Sequence, residues 1–385
     1  MLAPVVTEQE AFRKEVKDFL QEHWLGAAER NEADFRKKAV EAGYVYRSIP
    51  RQFGGSDQAP DPVKAHIIRE EFDKVRAPRE VSGNGPGLLV PTLLACGEEW
   101  QKEMFIPKTL TGEYIWAQGY SEPGAGSDLA NIRTTAVLEG DEWIINGQKV
   151  WTSNAHNSIY MFILVRTEPD APKHQGISYL LLDMRQPGVT VRPLKQITGE
   201  AHFNEIFLDN ARTPKDWIVG KRGEGWTVSR TTLVHERNTV GASMGSDQLF
   251  NQVLKLARTT ELNGKPAIED PLIRDELGRI YARVSAHRAA GQHQLNLAAA
   301  GRESGRATGA FTKLYGSAIS ESIGLLAQRI MADHAMAQPN ENAPGAGRWV
   351  KQYMNSIAAQ LGGGTSNMQR NQIAERALGL PRDFA

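Results

Sequence analysis

The middle of the chain contains a series of short strand-like segments without helices between them, and this feature most restricts the possible folds. The segments are 132–138, 142–145, 148–152, 159–166, 177–183, 189–194 and 205–209. Residues 159–166 and 177–183 are almost continuously apolar, which is typical of buried strands. Gly140-Asp141 and Asn146-Gly147 separate the first three segments, and Asn-Gly is a strong hairpin signal. We therefore predict a β-sandwich or small barrel over roughly residues 113–220.

Helical patterns lie on both sides of this β region. Before it, Thr7 and Glu10 form a capping-box pattern, and apolar residues recur at helical spacing within segments 12–20, 32–42, 63–75, 88–96 and 101–110. After it, four long amphipathic segments, 226–258, 273–304, 307–334 and 348–359, predict an antiparallel bundle. The predicted class is α+β multidomain: an N-terminal helical domain (1–112), a middle β-sandwich/barrel domain (113–220) and a C-terminal four-helix bundle (221–385).

Composition excludes several classes of protein. Lys+Arg and Asp+Glu are both 45 in 385 residues, which argues against a nucleic-acid partner held by bulk charge. The only cysteine, Cys96, rules out an intrachain disulfide and a cysteine-based metal site. The first residues lack a signal-peptide pattern, and no apolar run reaches the ~18 residues of a membrane span. We expect a cytoplasmic protein without membrane insertion.

Other site types find little support in the sequence. No strand is followed by Gly-x-Gly-x-x-Gly, so a Rossmann domain is not expected. The nine histidines contain no His-Glu-x-x-His pattern, and no metal is predicted. His287 and His293 lie within a helical segment, where we expect them to be solvated or at an interface. Cys96 is expected to be part of an apolar core.

Two segments near the start of the β region carry residue types suited to a ligand. The first, 121–128, reads SEPGAGSD, and the second, 148–154, reads QKVWTSN. Small residues let a ligand approach the backbone, and serine hydroxyls supply hydrogen bonds. Trp151 offers a flat aromatic face beside two hydroxyls. This combination indicates a flat, phosphate-bearing ligand; on composition alone, a Gly-Pro-rich turn before a hairpin is an equal alternative.

Four segments together resemble the acyl-CoA dehydrogenase family, and the resemblance covers most of the chain. They are 120–128 (YSEPGAGSD), 146–154 (NGQKVWTSN), 203–214 (FNEIFLDNARTP) and 364–371 (GTSNMQRN), in the order and at the spacing of that family's signatures. The helix–β–helix order predicted from periodicity agrees with the family fold. Each segment alone would be a weak signal, so the inference rests on their shared order and spacing.

The resemblance implies a non-covalent FAD. The positions that match cofactor contacts are Gln118, Tyr120, Ser121, Gly126, Ser127, Trp151, Ser153, Thr365 and Asn367. Trp151 would lie against the flavin, and Ser127 would also meet the thioester ligand. For each hydroxyl taken singly, a turn or capping hydrogen bond is the alternative.

The resemblance also implies the reaction and its base. An acyl-CoA loses an α proton to a carboxylate and a β hydride to flavin N5. Many family members place that glutamate where this chain has Gly363. A second subgroup places it in a Leu-x-x-Glu-Arg pattern on the first helix after the β domain, which matches residues 233–237 (LVHER) and makes Glu236 the expected base. The alternative for Glu236 is an exposed helix carboxylate paired with Arg230 or Arg237.

The resemblance further implies that Val234, Arg237 and Gly363 contact the substrate, and that the backbone N–H of Gly363 polarises the thioester carbonyl. For Arg237 a surface salt bridge is the competing interpretation. The family's Arg-x-x-Phe-Gly segment, which contacts the adenine half of the cofactor across subunits, is absent from 256–266. The chain is similar to a bacterial branch that acts on bulky, branched or sterol-type acyl groups. The resemblance to this branch implies an electron-transfer flavoprotein as electron acceptor. It also implies a homotetramer or a heterotetramer with a related chain.

Three alternative functions stay open at this stage. The first is a flavin monooxygenase or oxidase of the same fold. The second is a non-catalytic or partner subunit of a heteromeric acyl-CoA dehydrogenase, which the glycine at 363 favours and Glu236 opposes. The third keeps the dehydrogenation but uses an acyl-carrier-protein substrate.

Overall fold

The computed structural model describes residues 8–240, 244–300, 302, 305, 307–337 and 347–382, with the side chains of 236–240, 244, 295, 298 and 299 left undescribed. The chain divides into two compact units. One comprises Met1–Leu194 and Ala201–Thr232, and the other comprises Lys195–Glu200 and Leu233–Ala385.

The first unit begins with five helices. They are α1 (Glu8–Leu20), α2 (Glu32–Glu41), α3 (Pro62–Val75), α4 (Val90–Cys96) and α5 (Glu99–Leu110). The side chain of Asn31 caps α2, and Asp61 caps α3 immediately before the proline that opens it. Phe35 and Phe72, both buried, pack with a ring-centroid distance of 5.8 Å and join α2 to α3. The predicted cap Thr7 lies outside the described residues.

The rest of the first unit is a half-barrel built on one seven-stranded sheet. Its strands are β1 (Trp116–Gly119), β2 (Thr135–Glu139), β3 (Glu142–Ser153), β4 (Tyr160–Arg166), β5 (Ile177–Asp183), β6 (Val189–Leu194) and β7 (Phe203–Pro214). The order is β1-β4-β2-β3-β7-β6, with β5 paired to β4. β1 and β2 run parallel to β4, and the other pairs are antiparallel. A core of inward-facing apolar residues, including Met161, Leu180 and Ile206, lies against this sheet.

The predicted hairpin at Asn146-Gly147 is wrong. Residues Glu142–Ser153 form one continuous strand, and its register against β7 shifts between Ile145 and Gly147. Gly147 has φ +151°, and an added Cβ would lie 2.7 Å from the Cα of Thr134. The glycine therefore permits a bulge in β3 close to the backbone of Thr134, rather than a turn. The strand break predicted at Gly140-Asp141 is confirmed, since β2 and β3 are antiparallel and Glu139 pairs with Glu142 across these two residues.

The second unit is helical, as predicted. Its main elements are α6 (Gly225–Val240, which begins in the first unit), α7 (Met244–Thr259), α8 (Pro271–Ala299), α9 (Thr308–Met331), α10 (Arg348–Leu361) and α11 (Ser366–Gln372). A small hairpin, β8 (Glu261–Leu262) and β9 (Lys265–Pro266), follows α7. The single helix predicted over 226–258 corresponds to α6 and α7, two helices on either side of 241–243, which lie outside the described residues.

α9 is the central helix of the second unit, packing against α7, α8 and α10. Its buried residues include Ile323, Leu326 and Ile330, which join Val253 and Trp349 in one apolar core. Among the helices within the described ranges, none combines the length and apolar character needed to cross a membrane.

Candidate functional site

The segment 121–128 begins with a tight two-residue turn just after β1. Glu122 and Ala125 exchange two backbone hydrogen bonds of 3.0 Å, with Pro123 and Gly124 at the tip. Ala125 is buried, whereas Gly124 is exposed, and a Cβ added to Gly124 would meet no atom within 4 Å. The turn therefore presents its glycine to open space and packs its alanine inward.

The end of the segment is also open. Gly126 and Ser127 are exposed, and a Cβ on Gly126 would again meet nothing within 4 Å. Neighbouring Asp128 pairs with Lys173 through contacts of 2.7 Å to both of its carboxylate oxygens. The predicted contacts Gly126 and Ser127 thus lie where an external molecule can reach the backbone.

A buried ion pair fixes this segment to the strand that carries Trp151. Nζ of Lys149 donates to Oε1 of Glu122 at 2.8 Å and to the carbonyl of Tyr120 at 3.2 Å. The backbone N–H groups of Arg133 and Thr134 also donate to the Glu122 carboxylate, at 2.6 and 3.0 Å. Sequence reasoning missed this pair, since a lysine in a strand usually faces solvent.

Burial and pairing act in opposite directions on these two groups. Burial lowers the pKa of the Lys149 ammonium to about 8, although the charge of Glu122 opposes this. Burial alone would raise the pKa of the Glu122 carboxyl, but the Lys149 charge and the hydrogen bonds outweigh it and lower that pKa. At neutral pH both groups are therefore ionised and the pair holds the segment in place.

Trp151 is an exposed aromatic residue with an unusual backbone. Its φ is +60°, its relative exposure is 61%, and it lies where the register of β3 shifts between Lys149 and Thr152. A bulky residue at positive φ is strained, and such outliers cluster at functional sites. The indole meets Phe203 edge-to-face at 6.2 Å, and the adjacent Val150 N–H donates to the Ser121 carbonyl at 2.9 Å. The structure therefore brings Trp151 and the 121–128 segment to one place.

Beside Trp151 lies a buried hydroxyl that lacks a partner. Oγ1 of Thr152 makes no hydrogen bond among the described residues, although the residue is only 1% exposed. Ser153 is half-buried next to it. An exposed ring, an unpaired hydroxyl and an open glycine backbone fit a large flat ligand with hydrogen-bonding edges.

Three predicted residues, which lie in β1 or just after it, have different surroundings. Tyr120 is 4% exposed, and its ring meets Phe162 and Tyr179 edge-to-face at 5.9 and 6.3 Å. Its ring is therefore part of the sheet core. Gln118 and Ser121 are half-buried, and both lie just before the 122–125 turn in sequence.

The predicted residues of the second unit lie in the turn between α10 and α11 and on α6. Gly363 is half-buried with φ +65°. Thr365 caps α11, because its side-chain oxygen accepts from the Met368 N–H at 3.2 Å. This oxygen therefore makes the capping hydrogen bond that was the alternative to a cofactor contact. Asn367 is exposed, and its Oδ1 accepts from Arg370.

On α6, Val234 is 48% exposed. The backbones of Glu236 and Arg237 belong to this helix, but their side chains lie outside the described residues.

The prediction that His287 is solvated or at an interface is wrong. It is 1% exposed, Nε2 lies 3.2 Å from the Thr312 carbonyl, and Nδ1 has no partner among the described residues. Helical spacing alone did not identify this inward position, because the α8 segment alternates polar and small residues around it. His293 is exposed, as predicted. Within the described parts of the chain, no group of His, Cys, Asp or Glu side chains could hold a metal ion.

Comparison with known proteins identifies the family. Models for the N-terminal, middle and C-terminal domains of acyl-CoA dehydrogenase match residues 7–113, 117–211 and 223–378. Acyl-CoA dehydrogenase IpdE1 of Mycobacterium tuberculosis is 39% identical over 353 residues, 91% of this chain and 88% of that protein. The chain belongs to the acyl-CoA dehydrogenase family. Proteins of this family are FAD-dependent, and the homologues are dehydrogenases.

Solved structures of this family agree with the fold. The ChsE4-ChsE5 complex from Mycobacterium tuberculosis matches with a TM-score of 0.79 and 27% identity, covering 100% of both chains. The Tcur3481-Tcur3483 steroid ACAD also matches with a TM-score of 0.79 and 27% identity, over 97% of this chain and 98% of that one. The predicted order of N-terminal helices, middle β domain and C-terminal helices is thereby confirmed.

Proposed function

We propose that this acyl-CoA dehydrogenase family member oxidises an acyl-CoA thioester to the 2,3-enoyl-CoA, with bound FAD as the hydride acceptor. The observation that carries the proposal is Trp151, an exposed indole at φ +60° beside an open glycine turn. The proposed FAD contacts are those predicted from the sequence, with Trp151 against the ring and Gly126, Ser127 and Ser153 as hydrogen-bonding or close-approach positions. FAD would supply a two-electron acceptor for the β hydride.

Glu236 is the proposed base for the α proton. Its support is the Leu-x-x-Glu-Arg pattern on α6 together with Gly363 at the position where other members carry the glutamate. A carboxylate in water-poor surroundings can reach a pKa near the working pH, as general-base catalysis requires. The backbone N–H of Gly363 would donate to the thioester oxygen as negative charge develops there. Val234 and Arg237 are proposed to line the acyl and CoA path.

The substrate class is proposed from the relatives and the glycine turn. One similar solved structure is a steroid ACAD by name, and residues 362–364 carry no side chain beyond hydrogen. We propose a bulky, branched or sterol-type acyl group and an electron-transfer flavoprotein as acceptor. A homotetramer or a heterotetramer with a related chain is proposed, with the domains bounded at 1–112, 113–220 and 221–385.

The test uses the purified chain with its flavin, mixed without oxygen with a panel of straight, branched and steroid-side-chain acyl-CoAs. Bleaching of the flavin absorbance with release of enoyl-CoA supports the proposal. Glu236→Gln is expected to retain FAD and to lower turnover by several orders of magnitude, because the amide cannot accept the α proton as the proposed carboxylate base would. Glu224→Gln, an exposed carboxylate just before α6, is the matched control. Near-normal activity of Glu236→Gln would remove Glu236 from the mechanism.

A partner subunit without its own activity is the second candidate, since the similar ChsE4-ChsE5 structure is a complex. A colourless chain that neither binds FAD nor bleaches with any acyl-CoA, and that becomes active only with a second chain, would favour it. Rapid oxygen consumption by the reduced protein would instead favour an oxidase or monooxygenase.

A further inference from the structure

The turn that supplies the Gly363 N–H has no side chains to hold it. Residues 362–364 are all glycine, and Gly363 and Gly364 have φ +65° and +93°. Glycine has more backbone freedom than any other residue, so a run of three glycines is an unusually flexible segment. An N–H that must meet a developing oxyanion loses its effect when it is misplaced by about 1 Å. Contacts from elsewhere must therefore fix this turn.

Two buried side chains from neighbouring elements hold its carbonyl groups. Nζ of Lys313, on α9, donates to the carbonyls of Gly364 at 2.7 Å and Gln360 at 3.1 Å. Nε2 of Gln369, on α11, donates to the carbonyls of Gly363 at 3.0 Å and Gly364 at 3.3 Å. Lys313 is 2% exposed and Gln369 is 1% exposed. The carbonyl of Gln360, before the Gly363 N–H, and those of Gly363 and Gly364, after it, are thus held.

Lys313 has an unusual environment for a cation. Among the described residues it makes no ion pair with a carboxylate, and burial lowers the pKa of its ammonium. Its charge is met by carbonyl oxygens near the C-terminal end of α10, where the helix dipole is negative. Hydrogen bonds from a buried cation are strong, and they break only at a high cost in desolvation. Lys313 is therefore suited to hold one fixed conformation of the turn.

We propose that Lys313, assisted by Gln369, is a positioning residue that fixes the 362–364 turn so that the Gly363 N–H faces the thioester carbonyl. The inference rests on the proposed function for its catalytic consequence. The contacts of Lys313 and Gln369 with the turn, here called the clamp, lie within the second unit alone. The clamp is therefore testable without substrate. Both side chains are buried and donate to backbone carbonyls, so the proposed role of each acts through the backbone of the turn.

A cavity beside Lys313 makes the proposal testable by chemical rescue. It has a volume of about 400 Å³, and its lining includes Lys313, Gly316, Ser317, Ser320 and Gln352. The space is large enough for a small organic cation to enter when the lysine side chain is shortened. An added alkylammonium ion could then replace the missing ammonium at the carbonyls of Gln360 and Gly364.

The first measurement is hydrogen–deuterium exchange of the peptide spanning 360–366 in the FAD-loaded protein without substrate. We expect Lys313→Met to raise exchange there at least about tenfold, because the fixed turn becomes an open one. Lys313→Arg should stay near wild type. The control is Lys351→Met, which removes a half-exposed lysine of α10 whose Nζ lies 3.7 Å from Oε1 of Glu200. Wild-type exchange in a folded Lys313→Met protein would overturn the clamp.

The second measurement links the clamp to catalysis. Lys313→Ala should lower kcat by about 10- to 100-fold with KM changed less than about threefold, since the lost effect is on the transition state. Ethylammonium should restore part of kcat to this variant and leave Lys351→Met unaffected. The apparent pKa for enolisation of a bound 3-oxoacyl-CoA analogue should rise in Lys313→Ala, because the N–H no longer stabilises the enolate.

The outcomes separate the two proposals. Raised exchange with unchanged kcat and unchanged enolate acidity would overturn the positioning role while leaving the dehydrogenase assignment intact. A wild-type protein that dehydrogenates no acyl-CoA would overturn the proposed function, and the exchange result would still decide the clamp. Should Lys313→Met fail to fold, Gln369→Met tests the same turn through the Gly363 carbonyl, with the same expected rise in exchange.

Discussion

Nζ of Lys149 lies 2.8 Å from Oε1 of Glu122, with side-chain exposures of 0% and 7%. The pair joins β3, two residues before the exposed Trp151, to the turn that follows β1. Its carboxylate also accepts from the N–H groups of Arg133 and Thr134. This ion pair, together with the hydrogen bond from the Val150 N–H to the Ser121 carbonyl, holds together the two segments that the proposed FAD site needs.

Lys149→Met should destabilise the protein by about 3–5 kcal/mol, because it leaves the Glu122 carboxylate buried and without its cation. Thermal unfolding and flavin retention after gel filtration measure the effect. The double variant Lys149→Met with Glu122→Gln should recover part of the lost stability, since the buried charge is then gone. Equal stability of the single and double variants would show that the ion pair does not hold this region.

Gly126→Ala should separate folding from cofactor binding. The added methyl meets no protein atom within 4 Å, so the free energy of unfolding, measured through Tm, should change by less than about 0.5 kcal/mol. If FAD packs on this backbone, its Kd should rise about tenfold, for a loss of roughly 1.4 kcal/mol. Gly278→Ala, an equally open position on α8, is the control. Unchanged FAD affinity in Gly126→Ala would place the cofactor elsewhere.

Gly147→Ala should cost roughly 3 kcal/mol or more, because the methyl would lie 2.6 Å from Oγ1 and 2.7 Å from Cα of Thr134. A backbone atom cannot rotate away. Gly140→Ala is the matched control, since its φ of +61° is also positive but its Cβ meets nothing within 4 Å. That change should cost about 1–2 kcal/mol from backbone strain alone. Urea unfolding of both variants measures the difference, and equal losses would contradict the close approach.

His287 should make the stability of the second unit sensitive to acid. Burial lowers the pKa of its imidazole below the usual 6.5, although the Thr312 carbonyl and the charge of Asp247 oppose this. The unfolded chain therefore takes up the proton first, and stability is lost as pH falls below about 6.5. His287→Gln should reduce the difference in Tm between pH 7.5 and 5.5 by about 2 °C or more.

The control for this effect is His293→Gln, on the same helix at an exposed position. It should leave the pH dependence of Tm as in wild type. A His287→Gln protein with unaltered pH dependence would show that other groups govern acid sensitivity.

The order of secondary structure was predictable because periodicity and turn chemistry are local. The continuous apolar runs at 159–166 and 177–183 correspond to β4 and β5 within one residue. A hairpin was wrongly predicted at Asn146-Gly147 because the same dipeptide can form either a turn or a bulge. The choice depends on pairing with β7, about 60 residues later in sequence, which no local pattern contains.

The candidate site was predictable in part for a similar reason. Trp151 was identified from its aromatic face beside two hydroxyls and then from the family resemblance, but its positive φ and exposure depend on the register of a long-range strand pair. Lys149 and Lys313 were not singled out, because burial of a lysine is decided by partners distant in sequence. Lys149 and Val150 are both buried, so burial does not alternate along this part of β3 and no period marked Lys149 as inward-facing. Nothing in α9 marked Lys313.

Trp151 also gives this protein a built-in optical reporter. Of its eight tryptophans, Trp151 is the most exposed at 61%, followed by Trp100 at 37%, whereas Trp24, Trp116, Trp143 and Trp349 are buried. An indole in water emits at longer wavelength than one in an apolar core. Trp151 therefore contributes to the red edge of the intrinsic fluorescence, and quenching there would follow the arrival of any flat ligand beside the Lys149–Thr152 irregularity of β3 without an added label.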